Sequence, residues 1–312
     1  MKAVRVTKEG SSTTLRIDDI PKPSAGPGEL LVEIKASFVQ PADILNSKGN
    51  FASTTYPRTL GKDFSGIVVS GPSEWLNKAV YGTSGATFSF TEDGAQAEFA
   101  VLKQGAVALM PRNLSFAQAA ALGTPWTTGM TTLLRARAKP TDVVMVLGAN
   151  GSVGSSVIQI ARRMGCRTIG VGRRGADIDS SRDPLLSKAK ELSDGLGPNV
   201  VVDTVGNLEL TNAAVNVMAS KGRMSIISAP RQGNRELPLD LLDFYRRQIE
   251  LVGCNTAAES QEEMARLLND LTPDFESGRL VPAEENTMNL IDIEQAADAY
   301  SGKIKRAVIV FR

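Results

Sequence analysis

The sequence predicts an α/β protein in which a mainly-β stretch leads into a doubly wound parallel sheet. Three observations carry this. Short β segments broken by turn residues fill the first hundred residues, and from about Ser115 strands and helices alternate. Between one apolar strand and one apolar helix lies a turn with glycines at Gly148, Gly151 and Gly154.

In the first part, Lys2–Val6, Leu30–Ala36, Gly66–Val69 and Glu98–Val101 read as strands. Pro21-Lys22-Pro23, Pro27-Gly28, Gly71-Pro72 and Asp93-Gly94 supply the breaks between them. Ser115 caps a helix over Phe116–Leu122, a Gly-Thr-Pro sequence interrupts it, and Trp126–Arg137 is helical again. Alternation then runs through Val143–Leu147, Gly154–Met164, Thr168–Val171, Asp183–Asp194, Val200–Val202, Leu208–Met218 and Gly222–Ile227. Strands separated by helices in this way form a parallel sheet. The tail predicts helices at Gln261–Leu271 and Ile293–Tyr300 and a closing strand at Arg306–Phe311.

A chain of 312 residues is long enough for two domains with separate cores. Its 35 basic and 34 acidic side chains nearly cancel, so no strong field favours nucleic acid or a membrane surface. Residues 1–10 have no apolar targeting core, and no later stretch approaches a membrane span. The two cysteines, Cys166 and Cys254, make no disulfide framework. These features point to a soluble cytoplasmic protein. There is no histidine, which excludes Ser-His-Asp and Cys-His catalysis and every imidazole metal site. No metal site is expected.

Val143–Leu147 is continuously apolar, as a strand buried on both faces should be. Gly148 then gives the tight turn, Gly151 admits a pyrophosphate to the backbone, and Gly154 lets helix and strand approach. Gly148-Ala149-Asn150-Gly151-Ser152-Val153-Gly154 therefore reads as a dinucleotide cradle, with no acid to oppose phosphate at the helix start. After the next strand, where NAD-specific sites carry an acid, the chain reads Gly172-Arg173-Arg174. Two guanidiniums suit a 2′-phosphate, which favours NADP(H). The alternative is a solvated surface pair.

Motifs spread from end to end add a resemblance. "PGELLVEIKASFVQPADILNSKGNF", "YPRTLGKDFSGIVV", "GAQAEFAVL", "LSFAQAAALGTPWTTGMTTL", "VVVDTVG" and "SGKIKRAVIVF" are similar to successive landmarks of the medium-chain dehydrogenase/reductase superfamily. Within it, the chain looks like the zinc-free quinone oxidoreductase and enoyl (enone) reductase branch. The resemblance implies a GroES-like catalytic domain, residues 1–114 and 256–312, around a Rossmann NADP-binding domain, residues 115–255. It also implies a nicotinamide in the cleft between them, and a homodimer through edge strands near Ile249–Asn255.

Zinc-dependent members hold their catalytic metal with an early-loop Cys, a His-Glu pair after a glycine, and a later Cys or His. Here those positions read Gln40-Pro41 and Gly61-Lys62-Asp63, and no cysteine precedes Cys166. Hydride addition to a conjugated enone or quinone tolerates the loss, because charge delocalises into an enolate. Gln40 corresponds to the family's nicotinamide-side Asn and either orients an acceptor oxygen or serves the loop. Lys62 and Asp63 either supply a cation or proton at the old metal locus or form an ion pair. Thr127 and Thr128 match the segment near the nicotinamide ribose, and Gly206 closes the later "VVVDTVG" landmark. The expected function is NADPH-dependent, zinc-independent reduction of a quinone or α,β-unsaturated carbonyl. Its alternatives are a trans-acting enoyl reductase of a biosynthetic pathway and a non-catalytic NADPH-binding protein.

One departure bears on the fold. The family places a helix between the second strand and "GAD", and here "GVGRR" runs straight into "GADIDSSRDP". A parallel neighbour ordinarily needs a crossover of a dozen or more residues. Either the short third strand fails to pair in parallel with the second, or a helix-sized segment is absent.

Overall fold

The computed structural model describes residues 1–312. It contains two compact units, Met1–Thr127 with Thr256–Arg312, and Thr128–Asn255. The first unit opens with β1 (Lys2–Glu9), β2 (Ser12–Asp19), β3 (Glu29–Phe38), α1 (Pro41–Ser47), β4 (Arg58–Thr59) and β5 (Asp63–Ser70). Then come β6 (Ala79–Gly82), β7 (Phe99–Lys103), β8 (Ala108–Leu109), α2 (Phe116–Ala120) and α3 (Gly123–Arg135), within which the chain enters the second unit. That unit alternates β9 (Val143–Leu147), α4 (Ser152–Arg163), β10 (Arg167–Gly172), β11 (Ile178–Asp179), α5 (Lys188–Glu191), β12 (Val200–Asp203), α6 (Leu208–Val217), β13 (Arg223–Ile226), α7 (Leu241–Arg246) and β14 (Glu250–Gly253). The return to the first unit supplies α8 (Gln261–Glu276), β15 (Asn289–Ile291), α9 (Ala296–Ser301) and β16 (Ala307–Val310).

Two sheets build the first unit: β2-β1-β4, and β15-β16-β3-β5-β6-β8 with β7 on β3. In the second, β16 from the chain end lies antiparallel to β3, pairing Val308 with Phe38 and Val310 with Ala36. Residues more than 250 positions apart thus share one core, in which Ala36, Phe38, Ala117, Ala120, Met288 and Val308 pack together. β2 carries no apolar run, and its Ser, Thr and Asp residues hide it from a hydrophobicity reading. It forms because a turn at Gly10 (φ 58°) folds it back on β1.

The second unit is a parallel sheet in the order β11-β10-β9-β12-β13-β14. All five residues of β9 are buried, as a central strand covered on both faces requires. Its Val143, Met145 and Leu147 pack with Ile169, Val171, Val201 and Met224. From β9 the chain steps outward to β11, then restarts at β12 on the other side. The gap between the carboxyl ends of β9 and β12 is the topological switch point where such sheets bind ligands.

Three expectations are corrected. The Gly-Thr-Pro sequence is the first turn of α3, where proline is tolerated because its missing N–H has no helical partner. The helix expected over Asp183–Asp194 shrinks to Lys188–Glu191. Pro184 follows Asp183, Leu186 takes a positive φ of 54°, and the Asp183 carboxylate receives the Ser187 and Lys188 N–H groups. Thirdly, of the two alternatives for the β10–β11 link, failure to pair is excluded: β11 pairs in parallel with β10, Val171 opposite Ile178 and Gly172 opposite Asp179, with no helix between them. The crossover rule assumes a return along a whole strand. For a two-residue strand the chain needs to climb back only about 7 Å, which the Arg173–Asp177 loop spans. Gly175 turns that loop at φ 63° and the Asp177 carboxylate pins it by accepting the Gly170 N–H at 2.6 Å. No helix is long and apolar enough to cross a membrane.

Candidate active site

The glycine turn leaves β9 at its carboxyl end. Gly148 holds φ at 81°, and a Cβ there would stand 2.5 Å from Thr204 Oγ1. A Cβ on Gly154 would meet the Gly148 carbonyl oxygen at 2.1 Å, so only glycine lets α4 start this close to the turn. Gly148 and Ala149 donate their N–H groups to the Val171 carbonyl at 2.9 and 3.0 Å, which fixes the turn against β10. Gly151 is the N-cap of α4, and Ser152, Val153 and Gly154 form its first turn with no acid among them. Their N–H groups point outward along the helix dipole, the arrangement that receives a phosphate.

Arg173 and Arg174 follow β10 directly, both exposed, with no carboxylate within salt-bridge distance. Asn150 ties them to the turn, its Nδ2 donating to the Arg174 carbonyl at 2.7 Å. The direct β10–β11 connection therefore keeps the Arg173-Arg174 backbone beside the cradle. Gly206 lies past the end of β12 at φ 69°, its N–H given to Asp203 Oδ1 at 3.0 Å. A Cβ on it would meet the Ala229 backbone N at 2.5 Å, so its glycine is needed for chain packing beyond β13.

In the first unit, Gln40, Lys62 and Asp63 come together. Asp63 opens β5 with a fully buried carboxylate. Gln40 Nε2 donates to its Oδ2 at 2.6 Å, the Thr124 N–H to both oxygens at 3.0 Å, and Thr124 Oγ1 to Oδ1 at 2.7 Å. Thr83 Oγ1 donates to Oδ1 as well. Burial raises the Asp63 pKa, and the Thr83, Thr124 and Gln40 hydrogen bonds oppose the rise. Gly123 permits this: a Cβ there would lie 2.7 Å from Asp63 Oδ1. Asp63 is thus an anchor joining α1, β5, β6 and the start of α3, its lone pairs already taken.

The expected alternative of a Lys62–Asp63 ion pair is not formed. Lys62 is only 6% exposed, has no carboxylate within 4.0 Å, and rests over the Phe90 ring, 5.0 Å from its centroid. Phe90 is edge-packed against Phe51 at 5.2 Å. Its donors are therefore unspent on any anion. Gln40, 5% exposed, gives one amide hydrogen to Asp63 and keeps a second. Thr127 Oγ1 donates to the Gly123 carbonyl at 2.9 Å within its own helix, and Thr128 is buried in the adjoining unit.

Sequence reasoning missed Thr83, Thr124 and Asp43. The two threonines lie 20 and 61 positions from Asp63, and no spacing signals them. Asp43 carried a signal, an acid three residues after Gln40 at a helix start, where its Oδ2 accepts the Gln40 N–H at 2.9 Å. Nowhere do three or more His, Cys, Asp or Glu side chains converge as metal ligands. At Gln40, Lys62 and Asp63 the donor set is an amide, an ammonium and a saturated carboxylate, which does not fit a zinc ion.

Comparison with known proteins identifies both parts. Residues 26–112 match the alcohol dehydrogenase GroES-like domain, and residues 152–272 match the zinc-binding dehydrogenase domain. The "zinc-type alcohol dehydrogenase-like protein C337.11" of Schizosaccharomyces pombe is 42% identical over 282 residues, 89% of this chain and 86% of that one. A quinone oxidoreductase of Rattus norvegicus is 26% identical over 99% of this chain and 98% of its own. The crystal structure of an alcohol dehydrogenase superfamily protein from Novosphingobium aromaticivorans superposes with a TM-score of 0.82 at 26% identity, covering 100% of both chains. With both domains matched and a relative this similar along most of its length, the chain belongs to the medium-chain dehydrogenase/reductase superfamily of oxidoreductases.

Proposed function

We propose that the protein is an NADPH-dependent, zinc-independent reductase of quinones or α,β-unsaturated carbonyls. The observation that carries the reading is Lys62, a buried ammonium with no carboxylate within salt-bridge distance, where zinc-dependent relatives place a metal ligand. A similarity to quinone oxidoreductases along nearly the whole chain supports the acceptor class.

The cradle fits a nicotinamide dinucleotide, since Gly148 and Gly154 stand where a side chain would collide with backbone or Thr204. Gly148–Gly154 would hold the pyrophosphate, with Arg173 and Arg174 on the 2′-phosphate and Thr127, Thr128 and Gly206 as further cofactor contacts. When bound, the nicotinamide supplies the hydride. Lys62 supplies positive charge to the acceptor's carbonyl oxygen, where negative charge builds as the enolate forms. The free amide hydrogen of Gln40 orients the same oxygen. Asp63 holds Gln40 in place and is not itself a proton donor, because its oxygens are saturated. In this reading residues 1–114 and 256–312 form the catalytic domain and residues 115–255 the cofactor domain. The protein acts as a homodimer through β14, which ends the parallel sheet and leaves one edge unpaired.

NADPH oxidation followed against quinones, enals, enoyl thioesters and saturated ketones tests the assignment. Turnover is expected with the conjugated acceptors and not with the ketones. Turnover of ketones alone would overturn it, and tight NADPH binding with no turnover of any acceptor would favour a non-catalytic binding role.

A further inference from the structure

Asp43 is the one fully buried carboxylate beside Lys62 that is left incompletely satisfied. It sits in the first turn of α1 and is 0% exposed. Its Oδ2 takes the Gln40 N–H, and the Lys62 backbone N–H also faces the carboxylate. Its Oδ1 has no hydrogen-bond partner. A carboxylate fixed only as a helix cap would be expected to sit at the surface or to satisfy both oxygens. An orphan oxygen in a dry site is instead a place where a proton can reside at low cost.

The groups that act on Asp43 are few. Lys62 and Asp63 face it from the β5 side, Lys62 lowering and Asp63 raising its pKa. Tyr300 faces it from α9, and burial together with the Asp43 charge raises the phenol's pKa. The Tyr300 hydroxyl donates to Gln96 Oε1 at 2.6 Å, so it is not available to Asp43 as a donor. Burial, the dominant influence, pushes Asp43 up to about 7.

We infer that Asp43 is a positioning residue whose proton tunes the effective charge of Lys62: protonated, it leaves the ammonium uncompensated, and ionised, it partly offsets it from beyond salt-bridge distance. This rests on the reading of Lys62 as the cation that stabilises the developing enolate. An uncompensated ammonium stabilises that anion fully; one offset by a neighbouring carboxylate does so less. The sign follows directly. Asp43 carries its proton below its raised pKa, so kcat/KM is high on the acid side and falls as the pH rises through neutrality.

The measurement is kcat/KM of the full-length enzyme for one conjugated acceptor with NADPH between about pH 6 and about pH 9. Wild type is expected to lose roughly tenfold or more across this range. Asp43→Asn, permanently neutral, is expected to keep its acid-side activity and lose the fall, whereas Asp43→Glu retains it. Division of wild-type by Asp43→Asn values cancels the proton that the reaction itself consumes. A fall of equal size and midpoint in Asp43→Asn would overturn the inference, since a purely structural role changes the level of activity and not its pH profile.

Lys62→Met separates the two layers. Full activity in that variant sinks the reading of Lys62, while lost activity with an unmoved Asp43→Asn profile sinks only the role of Asp43. Should Asp43→Asn fail to fold, the carboxyl resonances of ¹³C-aspartate-labelled wild type decide. One is expected to titrate near neutrality and to move upward in Lys62→Met; no aspartate titrating there would overturn the inference.

Discussion

Replacing Lys62 with methionine is expected to lower kcat/KM for quinones and enals by roughly 10²- to 10³-fold, with NADPH affinity unchanged. Methionine keeps the unbranched stem and exchanges the ammonium–Phe90 contact for a thioether–aromatic one, so the side chain loses its charge and donors while its bulk is retained. That range is what removal of one preorganised donor to a developing oxyanion costs in other enzymes. The effect should lie in kcat more than in KM, because a neutral ground-state carbonyl gains much less from the cation than the enolate does. Cofactor affinity is measured separately, by the fluorescence of bound NADPH. A loss confined to KM would assign Lys62 to substrate binding, and unchanged kinetics would remove it from the mechanism.

The second large effect concerns the adenosine side. The double substitution Arg173→Ala, Arg174→Ala is expected to reduce the preference for NADPH over NADH by about 100-fold, almost wholly by weakening NADPH. Both guanidiniums are exposed, lack carboxylate partners, and follow the strand that the glycine turn is bonded to. Two charge-assisted contacts to a phosphate are worth about 3 kcal/mol together at such an open site, which sets the estimate. Titration with each cofactor checks it. An unchanged ratio would return the pair to the role of a solvated surface face.

What was legible in the sequence, and what was not, divides along physical lines. Features set by local geometry could be read directly. The buried β9 run and the collisions that demand glycine at Gly148 and Gly154 lie within a dozen residues of one another. Lys62 could be singled out because a basic residue replaced an expected ligand. Its environment was not legible, since Asp63 is drawn away by Thr83 and Thr124, which arrive from distant elements. β2 was hidden because its pairing comes from a hairpin and not from apolar alternation. Of the two alternatives left open for the β10–β11 link, failure to pair is excluded, because the crossover rule does not bind a strand this short; that no helix separates the two strands was legible from the sequence.

The most direct test of metal-free catalysis counts metal and turnover on the same purified sample. Zinc content is measured by mass spectrometry, and NADPH-dependent reduction of a conjugated acceptor is assayed before and after exhaustive chelation. The expected result is zinc far below one equivalent per chain, with the rate unaltered by chelation and unaltered by added zinc. A rate that falls with chelation and returns in proportion to zinc would contradict the assignment of the cation's role to Lys62.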